Sequence, residues 1–177
     1  MSLKANHFGS IDNVVLEDYN EDYPFLFEKE KSCLVKIFSE SSIKIHHIGS
    51  TAVPGIKSKP VIDIAITTQF FPIDDTKIKL LSENQYLYWD ANPEPNHQFF
   101  FKGLPRTHII HIYPEQSQTL NAQIFFRDYL IKHTQAAKAY EKLKINLAAE
   151  FFNDREKYTE MKTEFINSIM KHLRQNS

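Results

Sequence analysis

From Thr119 onward the hydrophobic period of this chain changes from two to 3.6 and stays there, and that change limits the architectures open to it. Upstream, short apolar runs alternate with a period of two and are separated by Pro, Asn and Asp, as β-strands are. Downstream, apolar residues such as Tyr140, Leu143 and Leu147 recur every three or four positions, as on a helix face. We therefore predict an α/β or α+β domain in which about three C-terminal helices pack as a layer on a mixed sheet with flanking helices.

Size and charge narrow the function classes. The 177 residues, of which 42% are hydrophobic, suit one domain, with a sheet-bearing core over about residues 10–116 and a helical part over about 117–175. A formal net charge of -1 gives no general attraction for nucleic acid. Cys33 is the only cysteine, and no stretch reaches the roughly 20 apolar residues of a membrane helix, so we expect a cytoplasmic protein. The sequence leaves the oligomeric state open.

Local patterns place the individual elements. We predict helices over residues 24–39 and 74–84, and further helices from residue 119 onward. The predicted strands cover residues 13–17, 44–48, 61–67, 86–89, 98–102 and 107–113. The segment 90–96, with Pro93 and Pro95, is the best candidate for a flexible loop or lid. Asn153 followed by Glu156 resembles a capping box, which predicts a break between the last two helices.

Asp63 stands in the centre of an apolar, β-branched run. In the predicted strand over residues 61–67, Ile62, Ile64 and Ile66 face one way, and Asp63 faces the other. A carboxylate in such a place needs a compensating partner, because an unpaired buried charge costs several kcal/mol. A divalent cation, a lysine or a row of backbone amides would serve. A functional site and a structural salt bridge are both open readings.

A Gly49-Ser50-Thr51 turn follows the strand that precedes Asp63. Glycine lets a backbone approach a ligand closely, and successive amides with two hydroxyls can cradle an anion. The alternative is a plain loop. Lys57 and Lys59 lie between this turn and Asp63, where they could neutralise a phosphate or remain solvated.

Several segments together resemble one protein family. The stretch "HIGSTAVPGIKSKPVIDI", followed by "RTHIIHIY", "FRDYL", "YEKLK" and "YTEMKTEFI", is similar to the GrpB family. That family is assigned to the nucleotidyltransferase superfamily of the polymerase-beta type and consists of small bacterial proteins. The resemblance covers the chain from about Tyr19 to Leu173. It implies a nucleotidyltransferase-like fold with a mixed β-sheet.

The resemblance also implies roles for particular residues. Gly49 and Ser50 match the turn that binds a nucleoside triphosphate, and Asp63 matches the first carboxylate that holds Mg²⁺ or Mn²⁺. The second carboxylate is expected two residues later, where this chain has Ala65. The third is expected on the strand over residues 107–113, which contains no acid.

That strand offers two histidines in place of the missing acid. His108 and His111 are three residues apart and so face opposite sides of an extended strand. We expect His111, within the shared "RTH..H" pattern, to be the catalytic and metal-binding candidate beside Asp63; a hydrogen-bonded core histidine is the alternative. Arg106 could bind a phosphate in bidentate fashion or form a structural ion pair.

Two Tyr/Lys pairs occur in the helical part. Lys144 follows Tyr140 by four residues, and Lys162 follows Tyr158 by four, so each pair shares a helix side. These pairs could line the site, with tyrosine stacking on a base and lysine contacting phosphate. Amphipathic helix surfaces with snorkelling lysines are the alternative.

Two functional hypotheses follow. In the first, the chain is a metal-dependent nucleotidyltransferase that binds a nucleoside triphosphate through the Gly-Ser turn and a metal through Asp63. In the second, it is a non-catalytic module that binds a nucleotide or a coenzyme A-related ligand and has lost the second metal carboxylate at Ala65. The expected partner in both is a nucleotide or another phosphorylated small molecule. A Gly-x-Ser-x-Gly hydrolase elbow is absent from the sequence.

Overall fold

The fold is a mixed sheet with helices on both faces. A computed structural model describes residues 13–39, 42–92 and 94–175; the predicted loop residue Pro93 lies outside them. The helices are α1 (Tyr23–Phe38), α2 (Asp75–Glu83), α3 (Gln118–Lys132), α4 (Thr134–Glu150) and α5 (Arg155–Gln175), with a short 3-10 turn at Ser50–Ala52. The strands are β1 (Lys44–Ile48), β2 (Ile62–Thr68), β3 (Leu87–Trp89), β4 (Gln98–Lys102) and β5 (His108–Pro114).

The five strands of the described residues form one sheet in the order β1-β2-β5-β4-β3. The central pair, β2 and β5, is parallel, and each of the other three neighbouring pairs is antiparallel. Parallel neighbours need a crossover connection. Here the chain between β2 and β5 supplies α2 and the strands β3 and β4. The predicted mixed sheet is confirmed.

The strand alternation divides the sheet into two faces. Ile62, Ile64 and Ile66 are buried on the face that α1 and α2 cover. Asp63 and Ala65 lie on the opposite face, which α3, α4 and α5 cover. This second face carries the candidate site.

The predicted strand over residues 13–17 is wrong, apart from one isolated bridge between Glu17 and Ser58. The segment runs along the helical layer and does not join the sheet. Val14 is buried with Leu147 and Tyr158, and its N–H donates to the carbonyl of Phe152 at 2.8 Å. The apolar residue that predicted a strand therefore packs against α4 and α5.

The predicted break between the last two helices is confirmed, but its cap is one residue further on. The side chain of Asp154, not that of Asn153, accepts a hydrogen bond from the N–H of Lys157 at 2.9 Å. Arg155 becomes the first residue of α5 as a result. Among the described residues, no helix is long and apolar enough to span a bilayer.

Candidate functional site

A cavity of about 1110 Å³ lies between the second face of the sheet and the helical layer. Its walls come from the turn after β1, from β2 and β5, and from α3, α4 and α5. Of the ten residues that the sequence predicts for the site, nine line this cavity. They are Gly49, Ser50, Thr51, Lys59, Asp63, Arg106, His111, Lys144 and Lys162.

Gly49 and Asp63 are in direct contact. The register of β1 and β2 pairs Ile48 with Asp63, so the chain after β1 turns over the carboxylate. Gly49 has φ of 72°, and a Cβ at this position would lie 2.3 Å from Asp63 Oδ2. Only glycine therefore fits here, both because of the left-handed backbone and because of the close approach.

The two hydroxyls of the turn have different surroundings. Those of Ser50 and Tyr140, a buried residue of α4, are hydrogen-bonded to each other. Burial raises the pKa of Tyr140 to about 12, so the phenol stays protonated. The Thr51 hydroxyl donates to the carbonyl of Val61 at 3.1 Å and lies 3.0 Å from His47 Nε2. Thr51 thus holds the turn against the entrance of β2, whereas Ser50 joins the turn to the helical layer.

Three cationic side chains act on the carboxylate of Asp63. Burial raises the pKa of Asp63, whereas the charges of Lys59, Lys162 and Arg155 act to lower it. Burial also lowers the pKa of Lys59 to about 7 and that of Lys162 to about 8. The two lysines share the ring of Tyr158, with their Nζ atoms 5.6 and 4.5 Å from its centroid. The carboxylate of Asp63 and the ammonium groups of Lys59 and Lys162 are therefore all partly desolvated in the cavity.

Lys144 is the third lysine of the cavity. Only 1% of it is exposed, and its Nζ donates to the carbonyl of Lys57. The same Nζ lies 5.0 Å from the ring centroid of Tyr140. Burial lowers the pKa of Lys144 to about 7. Both predicted Tyr/Lys pairs therefore reach the cavity, but each lysine covers one face of its tyrosine in a cation–π contact.

Lys57 lies outside the cavity, unlike the other predicted lysines. Its ammonium group pairs with Asp18 at the surface, and its backbone N–H donates to Glu141 Oε1 at 2.5 Å. Lys59, two residues further along the chain, lines the cavity instead. Lys57 contributes to the site through its carbonyl, which anchors Lys144.

His111 faces the cavity on the same side of the sheet as Asp63, and His108 faces the other side, as their spacing predicts. His111 Nδ1 lies 2.9 Å from His97 Nε2, and the two rings are stacked with centroids 5.0 Å apart. Burial lowers the pKa of His111 to about 3, so the ring is neutral at physiological pH. One of its two ring nitrogens is therefore already committed to His97.

The second carboxylate position is part of the core. Ala65 is fully buried beside Ile48, Tyr113 and Leu120, which leaves no room for a larger side chain without repacking. Across the described ranges, no group of three or more His, Cys, Asp or Glu residues is arranged to hold a metal ion. Asp63 is the carboxylate that the sheet itself contributes to the cavity.

An aromatic wall continues the cavity floor across the sheet. Trp89, Phe99 and His111 are cross-strand neighbours on β3, β4 and β5. The Phe99 ring stands edge-on to both of the others, with centroids 5.5 Å from Trp89 and 5.3 Å from His111. Sequence reasoning missed Trp89 and Phe99, because local alternation does not tell which strands lie side by side.

Arg155 is a further residue of the cavity lining that sequence reasoning missed. It is the first residue of α5, where the positive end of the helix dipole favours an acidic side chain. An arginine as the first residue of a helix is unfavourable for the helix itself. This mismatch was the signal in the sequence that could have indicated a role for Arg155 outside the helix. Its charge acts on Asp63, Lys59 and Lys162.

The lining of the cavity is strongly cationic, although the whole chain has a formal net charge of -1. Two carboxylates line it, Asp63 and Glu156. Seven basic side chains line it: Lys59, Arg106, Arg127, Lys144, Arg155, Lys162 and Lys171. Of these, Arg127 is engaged in the fold, since it donates to the carbonyl of His47 at 2.7 Å and pairs with Asp128. The lining therefore carries an excess of positive charge, which favours anions over cations electrostatically.

The fold and site together define a mixed-sheet α/β protein with a cationic cavity under a C-terminal helical layer. This chain belongs to the GrpB family: the family model described as "GrpB protein" matches residues 13–172.

Individual relatives agree with this assignment. The chain is 34% identical over 166 residues to the glutamate-rich protein GrpB of Alkalihalophilus pseudofirmus, covering 90% of this chain and 95% of that protein. It is 34% identical over 151 residues to the UPF0157 protein YqkA of Bacillus subtilis, a match that spans 85% of this chain and 44% of YqkA. The crystal structure of conserved protein GrpB from Enterococcus faecalis is similar with a TM-score of 0.77 and 31% identity, over 89% of this chain and 96% of that one.

Proposed function

We propose that this protein binds the phosphate groups of a nucleotide or of another phosphorylated small molecule in the cationic cavity. One observation carries the proposal: Lys59, Lys144 and Lys162 converge, from a loop and two helices, on the cavity that Ser50 and Asp63 also line. The charges of Lys59, Lys162 and Arg155 all act on the single carboxylate of Asp63, so positive charge is in excess there, and an anionic ligand would balance it.

The protonation of these lysines supports an anionic ligand. Burial lowers the pKa of Lys59 and Lys144 to about 7, so each ammonium group is poorly compensated in the protein alone. A phosphate that enters the cavity supplies the missing negative charge and raises these pKa values again. Binding would then be accompanied by proton uptake near neutral pH.

A nucleotidyltransferase-like arrangement suits the rest of the cavity. The Gly49–Ser50 turn lies directly over Asp63, as in the superfamily that the sequence resembles. The aromatic wall of Trp89 and Phe99 lies two to three strands away from Asp63 on the same sheet face. Aromatic side chains are suitable platforms for a base. The phosphates would lie at the lysines and the base at this wall.

We expect Mg²⁺ or Mn²⁺ to bind at this site only together with a phosphate-bearing ligand. Asp63 offers one hard oxygen ligand, and Mg²⁺ commonly takes its remaining ligands from water and substrate phosphates. A bare divalent ion would be repelled by Lys59, Lys162 and Arg155, whose charges act on that same carboxylate. His111 fits a metal less well than Asp63, because one ring nitrogen is committed to His97 and imidazole is not a preferred ligand of Mg²⁺.

A second candidate is a non-catalytic module for a nucleotide or coenzyme A-related ligand. The buried Ala65 favours it, since two-metal phosphoryl transfer needs more carboxylates than the sheet supplies here. Both candidates predict binding. Only the nucleotidyltransferase predicts release of pyrophosphate from a nucleoside triphosphate.

Thermal unfolding with added ligand tests the shared claim. Wild-type protein is heated with ATP or with a coenzyme A precursor, each with and without Mg²⁺ or Mn²⁺. A ligand at about 100 times its Kd should stabilise the fold by about 2.7 kcal/mol. Lys162→Gln should reduce the shift, whereas Lys157→Gln should not, because Lys157 pairs with Glu160 on the exposed side of α5. Equal shifts for both variants, or no shift with any phosphorylated ligand, would contradict the proposal.

The metal is tested with a second variant pair. Asp63→Asn should abolish the additional stabilisation that Mg²⁺ gives to bound ATP, and Asp75→Asn, at an exposed position at the start of α2, should leave it unchanged. Neither metal should stabilise wild-type protein in the absence of phosphate. Pyrophosphate release from labelled ATP, measured on the same samples, separates the enzyme from the binding module.

A further inference from the structure

The cationic part of the cavity continues into an apolar groove between α3 and α5. The groove is lined by Val53 from the turn after β1, by two residues of α3 and by two residues of α5. Those helix residues are Phe126, Leu130, Ile166 and Met170. All five belong to, or pack against, one hydrophobic cluster of the helical layer. The cavity is therefore polarised, with cations at one end and aliphatic and aromatic walls at the other.

The course of α5 gives the length of the apolar part. Lys162, Ile166 and Met170 follow one another at four-residue spacing and so lie along one side of the helix. At a rise of 1.5 Å per residue, the distance along the axis from Lys162 to Met170 is about 12 Å. Thr163, Asn167 and Lys171 are exposed and form the polar rim of the groove. A narrow apolar floor with a polar rim has the shape of a site for an extended chain.

We infer that the natural ligand carries a linear apolar chain on its phosphate-bearing head. The head would lie among Lys59, Lys144 and Lys162, and the chain would extend along α5 toward Met170. This inference rests on the proposed phosphate site and adds the chemical class of the rest of the ligand. A compound without an apolar chain would leave the partly exposed side chains of Ile166 and Met170 in contact with water, which is unfavourable in proportion to their exposed area.

The size of the cavity agrees with a ligand of two parts. Its volume of about 1110 Å³ lies just above the range of about 300–1,000 Å³ that is usual for small-molecule sites. Charge complementarity fixes the direction of the ligand, because Lys59, Lys144 and Lys162 lie at the head end, whereas Arg127 on α3 is paired with Asp128 and Lys171 lies on the rim. A cationic amphiphile with the same chain would meet like charges at the head end.

A homologous series of ligands tests the inference. Binding of methyl, butyl and hexyl phosphate to the full chain is measured by isothermal titration calorimetry. Each methylene added to the alkyl chain of the ligand should lower Kd by about twofold to fourfold if that alkyl chain is buried in the groove. Hexyltrimethylammonium, which has the same chain and a cationic head, should not bind.

A double variant tests whether the alkyl chain of the ligand lies in the groove. Ile166→Ser with Met170→Ser should remove the dependence of Kd on chain length and leave binding of methyl phosphate unchanged. Ile169→Ser is the matched control, because Ile169 lies on the same helix and packs against the same cluster but does not line the cavity. It should keep the full dependence on chain length.

The outcomes separate this inference from the function on which it rests. Methyl phosphate that binds with a Kd no weaker than that of hexyl phosphate would overturn the apolar-chain inference and leave the phosphate site standing. Failure of every alkyl phosphate and of every nucleotide to bind would overturn the proposed function as well. A chain-length dependence that persists unchanged in the double variant would show that the chain binds elsewhere and would overturn the inference.

Discussion

At the scale of single residues, the contact between Gly49 and Asp63 determines whether a site exists. The backbone of Gly49 is left-handed, and its Cα lies so close to Asp63 that a Cβ would be 2.3 Å from Oδ2. The turn at Gly49 and the carboxylate of Asp63 can be adjacent because Gly49 lacks a side chain.

Gly49→Ala should therefore destabilise the fold and displace Asp63. The strained backbone alone costs about 1–2 kcal/mol, and the clash with the carboxylate adds to it. Gly55→Ala is the matched control: Gly55 also has a positive φ, of 77°, but an added Cβ would meet no atom within 4 Å. Urea denaturation should show a larger loss at Gly49. Equal losses in the free energy of unfolding for the two variants would mean that the contact between Gly49 and Asp63 does not contribute to stability.

The lysines that line the cavity make a prediction about pH. Burial lowers the pKa of Lys59 and Lys144 to about 7 and of Lys162 to about 8, whereas an unfolded lysine titrates near 10.4. Between these values the unfolded state binds more protons than the folded state. The free energy of unfolding of the ligand-free protein should therefore rise from about pH 7 to pH 10.

Lys144→Met tests the contribution of one lysine to this dependence. It should reduce the rise in the free energy of unfolding over the alkaline range, as measured by urea denaturation at several pH values. Lys142→Met, at an exposed position of the same helix, should leave the rise unchanged. A wild-type stability that falls over the same range would contradict the assignment of buried lysines.

At the scale of elements, local chemistry predicted most of the fold. The bounds of β1 and β4 agree with the predicted ranges 44–48 and 98–102, because alternating burial marks a strand along its whole length. The strand predicted for residues 13–17 was wrong because Val14 packs on α4 and α5. This is a long-range contact that the local alternation of apolar residues does not encode. The break before α5 was predicted, but the cap is Asp154 and not the neighbouring Asn153 that the sequence pattern suggested.

The cap of α5 can be tested directly. Asp154→Ala should destabilise the protein by about 1 kcal/mol, because the N–H of Lys157 loses its acceptor. Asn153→Ala should cost little, since the Asn153 side chain is exposed and the cap hydrogen bond belongs to Asp154. The midpoint of urea denaturation of both variants decides between them. A larger loss at Asn153 would restore the capping box that the sequence suggests.

At the scale of the whole molecule, the site depends on which elements meet. The contact of Gly49 with Asp63 could be predicted, because β1 and β2 are consecutive strands and antiparallel. Lys144 and Lys162 could be predicted as candidates from their four-residue spacing to tyrosines, but not their convergence, which the packing of α4 on α5 produces. Trp89 and Arg155 were not predicted, since the strand order β5-β4-β3 and the place where α5 begins are tertiary features.

Long-range charge is the other property of the whole molecule. A chain of formal net charge -1 concentrates seven basic side chains around one cavity, so the attraction for an anion is local and partly shielded from solvent. Anion affinity should therefore fall with added salt, but less steeply than it would for exposed lysines.

The fluorescence of Trp89 gives the most direct test of phosphate binding in the cavity. Trp89 is the only tryptophan of the chain and lines the cavity, so no label is needed. Titration with ATP should give a saturable change in its emission, with a Kd that is weakened by Lys162→Gln and unchanged by Lys157→Gln. A flat titration with every phosphorylated ligand, or equal Kd values for the two variants, would contradict the account.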